Sequence, residues 1–266
     1  GVAREKMHLL DYLSATGLAV LHADDPWSRW IELRHRGRKA TFGRSPEATW
    51  RPSDEWATGE GVGFELAGSG VRFEVPLHGR HQVANCLAAV AVAVEMGLDA
   101  RTAAERLRGL VPPRWRMTVR RVRGMTFILD CYNANPASVA CALDDLTHRD
   151  AGRRVAVLGD MLELGHVSES AHCGVGRLAA ERGLDLVVAV GHHAALVAEA
   201  AREAGMGDDQ VFWTRHRHAA ARWLSQRLAG GDAVLFKGSR GMRVEEVAEA
   251  VEDRALAEEP TPAMTH

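Results

Sequence analysis

Between residues 114 and 252, short apolar runs at 125–129, 155–158, 186–190, 211–213 and 233–236 alternate with segments whose apolar residues recur at helical spacing. Val139, Leu143 and Leu146 mark one such helix, and Ala221, Leu224 and Leu228 mark another. A strand that returns to its own sheet through a helix must run parallel to its predecessor, and the crossover is right-handed. The spacing therefore predicts an open, doubly wound sheet. In that architecture ligands collect beyond the carboxyl ends of the strands. The polar loops at those ends are 131–135, 159–165, 191–193 and 237–241, and they are the candidate site loops.

The first of these loops carries the most chemistry. The run Phe127-Ile128-Leu129 ends in Asp130, and Cys131-Tyr132-Asn133-Ala134-Asn135-Pro136 follows. A carboxylate closing a buried strand can accept hydrogen bonds from sugar hydroxyls. Asn135 and Pro136 read equally well as a helix cap with proline in the first turn. In 159–165, Asp160 and Glu163 are suited to an amine or a metal, or to a plain strand-to-helix turn. Lys237-Gly238-Ser239-Arg240-Gly241 offers two cations, a hydroxyl and flexible backbone amides before a helix, which suits a carboxylate or phosphate, or an ordinary glycine turn.

Upstream the pattern differs. Val2, Leu9, Leu10 and Leu13 suggest one helical face, residues 18–21 a strand, and His22-Ala23-Asp24-Asp25-Pro26 a turn or a ligand loop. Residues 38–76 are β-rich, with 62–66 and 71–75 flanking Gly68-Ser69-Gly70 as an antiparallel hairpin. Helices are expected at 86–96, stopped by Gly97, and at 101–110. Val111-Pro112-Pro113 marks the domain boundary, giving 1–111, 112–254 and a polar tail at 255–266 expected to be disordered.

Composition narrows the partners. With 33 basic and 35 acidic residues there is no overall field for nucleic acid, although Arg114, Trp115, Arg116, Arg120, Arg121 and Arg123 cluster after the boundary. Around Met117, Val119 and Val122 those arginines read as the solvent face of a strand. Neither a membrane-spanning run nor a basic-then-apolar leader is present. Cys86, Cys131, Cys141 and Cys173 form no C-x-x-C pair and suit reduced thiols in a cytoplasm. Most of the 13 histidines read as surface or loop residues, lacking companions at metal-ligand spacing. The lysines Lys6, Lys39 and Lys237 follow Glu, Arg and Phe, so there is no Gly-Lys phosphate loop.

Asp130-Cys131-Tyr132-Asn133-Ala134-Asn135-Pro136, Gly159-Asp160-Met161-Leu162-Glu163-Leu164-Gly165 and Lys237-Gly238-Ser239-Arg240 together resemble the Mur ligase family. Gly1-Val2-Ala3-Arg4-Glu5-Lys6 and His78-Gly79-Arg80-His81 extend the likeness over almost the whole chain. The resemblance implies an α/β chain in which part of the family's central ATPase domain precedes a Rossmann-like doubly wound domain. It also implies a cytoplasmic ATP-dependent ligase of peptidoglycan synthesis, and so of cell-wall biogenesis, cell shape and cell division. Such an enzyme adds D-alanyl-D-alanine to UDP-N-acetylmuramoyl-tripeptide through an acyl phosphate, with ATP and Mg2+, and is a monomer at full length. The family's uridine-nucleotide domain and phosphate loop would precede Gly1, so this stretch is expected to be inactive alone. The alternative is a non-catalytic or split-subunit domain pair.

Residue by residue, the resemblance places Lys6 where relatives carry a carbamylated lysine that ligates magnesium. Asn85 would hydrogen-bond adenine, with Gln82 in place of a preceding asparagine. Arg116 falls where an arginine reaches the nucleotide phosphates, and Asp130 where an acid binds the ribose. Cys131 stands where Ser or Thr is usual and is assigned no role. Asn133 and Asn135 would face the cleft, and Asp160, Lys237, Ser239 and Arg240 would help bind the dipeptide, with Arg240 meeting its carboxylate.

Overall fold

The computed structural model describes residues 2–58 and 60–257. The chain divides into two units, Gly1–Val111 and Pro112–His266.

In the first unit, strand β1 (Leu18–His22) pairs in parallel with β2 (Arg38–Phe42), and helix α2 (Pro26–Glu32) connects them. Asp25 starts α2 by accepting the Ser28 N–H at 2.6 Å, and Pro26 needs no amide partner in the first turn. A three-stranded antiparallel sheet follows, made of β3 (Pro52–Ala57), β4 (Val62–Leu66) and β5 (Val71–Val75). Helices α3 (Gln82–Glu95) and α4 (Ala100–Arg108) cover it, burying Val83, Leu87 and Val90 against Phe64 and Phe73, whose rings stack 4.7 Å apart.

The opening segment departs from the expected amphipathic helix. Helix α1 (Val2–Met7) tightens into a 3-10 turn at His8–Tyr12, and Leu9 is 64% exposed. A 3-10 turn has about three residues per turn, which moves Leu9 off the stripe that a regular helix would share with Leu13.

The second unit holds a six-stranded sheet in the order β10-β9-β8-β11-β7-β6. Its strands are β6 (Thr118–Val122), β7 (Met125–Asp130), β8 (Arg154–Gly159), β9 (Leu186–Val190), β10 (Val211–Thr214) and β11 (Ala233–Lys237). The apolar runs at 125–129, 155–158, 186–190, 211–213 and 233–236 are the parallel strands β7 to β11, and β6 adds an antiparallel edge on β7. Helices α5 (Pro136–Thr147), α6 (Ser168–Glu181) and α7 (Ala194–Glu203) pack with Ile128, Ala156, Val187 and Leu235 in one core. Helices α8 (Arg217–Ser225) and α9 (Glu245–Ala257) pack with Phe127, Val157, Val188 and Phe236 in the other. Burial on both faces explains why these strands read as continuous apolar runs rather than alternating ones.

Helix α9 continues to Ala257, so the expected tail is helical for its first three residues; 258–266, like Gly1 of the opening motif, lies outside the described residues. No helix among the described residues is long and apolar enough to cross a membrane.

Candidate functional site

The chain passes from β7 to β8, moves outward through β9 and β10, and returns as β11 between β8 and β7. The loops after β7, β8 and β11 therefore meet at one end of the sheet, where the strand order reverses.

Asp130 and Lys237 are register partners at the ends of β7 and β11. The Lys237 ammonium donates to Asp130 Oδ2 at 2.5 Å and to the Asn133 carbonyl at 3.1 Å. Its side chain is only 2% exposed, against 16% for Asp130, so the pair is largely taken out of water. A buried ammonium demands such partners. Asp130 Oδ1 accepts no hydrogen bond from the described residues, leaving one carboxylate oxygen for an incoming donor.

Asp160, at 4% exposure, follows β8. Its Oδ2 accepts the His192 N–H at 2.9 Å and its Oδ1 the Ala194 N–H at 2.7 Å. Both oxygens thus satisfy amides at the start of α7, where a negative charge also complements the helix dipole. Gly191, at φ +139°, makes room for this carboxylate, because a Cβ there would collide with it. The Asp160 carbonyl accepts from Ser239 N–H at 3.1 Å. Ser239 Oγ accepts from Leu162 N–H at 2.9 Å and donates to the Ala134 carbonyl at 3.5 Å. One buried serine ties the three loops together.

Gly159 and Gly238 end β8 and enter the loop after β11. A Cβ on Gly238 would lie 3.2 Å from Gly159 Cα, and a Cβ on either would lie 2.6 Å from Val244 Cγ2. Their backbones form a notch that seats the fully buried Val244.

Arg240 and Asn133 are the more open members. Arg240 bonds Glu245 Oε1 at 2.6 Å, and its guanidinium lies 4.1 Å from the centre of the Trp115 ring. Glu245 is 4% exposed, and its Oε2 has no partner among the described residues. Trp115 holds a left-handed φ of 60°, unusual for a bulky residue, and its carbonyl accepts from Tyr132 N–H at 3.2 Å. Arg116 lies over the Tyr132 ring at 4.1 Å. Asn133 Oδ1 accepts from Ala134 N–H at 2.8 Å, and the residue is exposed. Asn135 caps α5 in a reciprocal box with Ser138, at 2.9 Å and 3.1 Å. Cys131 is buried and donates to the Phe236 carbonyl at 3.1 Å. Burial, with the Glu245 and Asp130 charges, pushes its thiol pKa well up, against the opposing pull of Lys237 and Arg240.

The structure thus brings Asp130, Asn133, Lys237, Ser239, Asp160 and Arg240 to one end of this sheet, with Arg116 over Tyr132 and Asn135 starting α5. Lys6 and Asn85 belong to the other unit. Lys6 is exposed on α1, beside an open hollow of about 760 Å³ that Arg4, Asp25, Trp27 and Trp30 also line. Asn85 is exposed on α3 and donates to Gln82 Oε1 at 2.9 Å. Sequence reasoning missed Glu245, Trp115 and Tyr132 as neighbours of the candidate cations. It also missed His172, which is fully buried on α6. The signal for His172 was its place at i, i+3 and i+7 with Val175 and Ala179 on the helix's inward face.

A parallel sheet whose strand ends present a paired acid, a tethered arginine and interlocked loops has matches among known families. The Mur ligase middle domain matches residues 1–93, and the Mur ligase glutamate ligase domain matches residues 115–240. The chain belongs to the Mur ligase family. Its relatives include the UDP-N-acetylmuramoyl-tripeptide--D-alanyl-D-alanine ligases of Escherichia coli, 33% identical over 95% of this chain and 56% of that protein, and of Bacillus subtilis, 29% identical over 93% and 54%. Among solved structures, MurF from Acinetobacter baumannii is 25% identical with a TM-score of 0.83, covering 95% of this chain and 55% of that one. MurF ligase from Thermotoga maritima in complex with ADP is 26% identical with a TM-score of 0.80, covering 97% and 58%. The chain therefore spans little more than half the length of these relatives.

Proposed function

We propose that this chain supplies the middle-domain and C-terminal portions of a ligase that uses ATP to join D-alanyl-D-alanine to UDP-N-acetylmuramoyl-tripeptide. The observation that carries the reading is Arg240, a half-exposed guanidinium set by Glu245 and Trp115 beside the loops that Ser239 and Asp160 lock. In the reaction, the tripeptide carboxylate takes a phosphoryl group from ATP and ADP leaves. The dipeptide amine then attacks the acyl carbon, and the amide bond forms as phosphate departs and the amine loses a proton. The chain's share is orientation and charge.

In this reading Arg240 pairs with the dipeptide carboxylate, a role for which a guanidinium fork is suited. Asn133 and Asn135 present amides to the cleft. Lys237 contributes by holding Asp130 and the Asn133 carbonyl, and Asp160 and Ser239 by fixing the loops. Asp130 Oδ1, with no partner of its own, suits a ribose hydroxyl, while Arg116 serves the phosphates and Asn85 the adenine. The described residues contain no group of three or more His, Cys, Asp or Glu side chains placed to hold a metal. A carbamylated Lys6 would be this chain's contribution to holding Mg2+, an ion that would neutralise charge on the transferred phosphoryl group.

The test is a pair of substrates in the complete ligase. Arg240→Ala should raise KM for D-alanyl-D-alanine about 10- to 100-fold, the equivalent of one charge-assisted hydrogen bond of roughly 1.5–3 kcal/mol. KM for ATP should not change. With D-alanyl-D-alanine amide, which has no carboxylate, the parent and the variant should behave alike. Equal loss on both substrates would refute the assignment.

A further inference from the structure

His172 has both ring nitrogens against backbone groups that fix its chemical state. Nε2 lies 3.0 Å from the Met161 N–H, which can only donate, so Nε2 carries a lone pair. Nδ1 lies 2.7 Å from the Ser168 carbonyl, which can only accept, so Nδ1 carries the proton. The ring is neutral and a single tautomer, with 0% exposure. On its far side the His193 ring lies 5.4 Å away, and His193 in turn meets His192 at 5.1 Å.

The amide that His172 accepts belongs to the loop after β8. Around it, the Asp160 carboxylate anchors the start of α7, the Asp160 carbonyl takes Ser239 N–H, and Leu162 N–H goes to Ser239 Oγ. Met161 is itself 2% exposed. The loop is thus pinned to α7 through Asp160, to the β11 loop through Ser239 and to α6 through His172. An apolar residue at 172 could fill the volume, but it would leave the buried Met161 N–H unsatisfied. We infer that His172 is a positioning residue: its Nε2 lone pair holds Met161, and with it the loop that fixes Asp160 and Ser239 beside Arg240. This rests on the reading of those loops as the dipeptide site.

Two measurements test it. Nitrogen-15 NMR of histidine in the whole chain should show one buried ring in the neutral Nδ1–H form; the Nε2–H form, or an averaged ring, overturns the inference. The second measurement uses the two amide side chains that mimic one nitrogen each. A glutamine places an acceptor near the Nε2 position, whereas an asparagine reaches only the Nδ1 position. His172→Gln should keep Met161 amide exchange within about threefold of the parent, and His172→Asn should speed it about tenfold or more. In the complete ligase, His172→Asn should raise KM for the dipeptide about tenfold with KM for ATP unchanged, and His172→Gln should restore it. Indistinguishable behaviour of the two variants in exchange overturns the inference. A failure of the site reading looks different: the exchange contrast persists, while neither His172→Asn nor Arg240→Ala alters KM for the dipeptide.

Discussion

Replacing Lys237 with methionine should weaken the second unit by about 3 kcal/mol. The ammonium is 2% exposed and serves two acceptors, Asp130 Oδ2 at 2.5 Å and the Asn133 carbonyl at 3.1 Å. Removing one member of a buried ion pair costs roughly 3–5 kcal/mol, because the other charge is left behind. Methionine keeps most of the lysine stem, so little cavity energy is added. Asp130 keeps 16% of its side-chain exposure, so water relieves part of the loss and the lower end of the range applies. For a unit of this size, about 2–4 °C of melting temperature follows each kcal/mol, which gives a fall of roughly 6–12 °C. Calorimetry of the whole chain would read it. A double-mutant cycle adds the sharper criterion: Lys237→Met with Asp130→Asn should cost less than the sum of the single changes, since the double variant strands no charge. A shift under about 2 °C, or strict additivity, would refute the claim that this pair holds the strand ends.

Gly191→Ala should destabilise the second unit by about 2–3 kcal/mol and speed amide exchange at His192 and Ala194, since it combines a left-handed φ with a collision against the Asp160 carboxylate; unaltered protection at those amides would count against the capping role. Cys141 is exposed, whereas Cys86 and Cys131 are buried, so a disulfide reagent at pH 8 should label Cys141 first and the buried pair only on unfolding. Burial pushes the Cys86 thiol up to about 11 from an ordinary 9.0. The folded chain then holds a proton that the unfolded chain releases, so stability present below about pH 9 should be lost as the pH rises toward 11. A urea midpoint that stays level across that window in a Cys131→Ala background would refute it.

The doubly wound sheet was legible because strands buried on both faces leave short continuous apolar runs, as in Leu186–Val190, that recur between helical segments. The loops at the strand ends followed from topology alone. What escaped were elements with weak patterns. Strand β3 carries Ser53, Asp54 and Glu55 exposed or half-buried, because it is the edge strand of its sheet and buries no residue fully. Helix α2 hid behind a turn signal, although Asp25-Pro26 is also a helix start. Within the site, side-chain types were visible but their partners were not. Lys237 read as a cation for a carboxylate or phosphate, or as part of a glycine turn, and only the register of β11 against β7 sets it on Asp130. Asp160 read as a ligand acid or as part of a strand-to-helix turn, and only the approach of the β9 loop reveals both of its oxygens engaged by backbone amides.

The glycine notch under Val244 links two strand ends to a side chain several residues away. Val244 precedes Glu245, which bonds Arg240, so the seat and the guanidinium tether rest on adjacent residues. A methyl group on residue 159 or 238 would collide with Val244 and displace the neighbour of Glu245, so the Arg240 tether should respond to a change made beneath it rather than beside it. Substitutions meant to retune the proposed dipeptide site should therefore leave both glycines alone and fall on the exposed rim around Asn133 and Arg240.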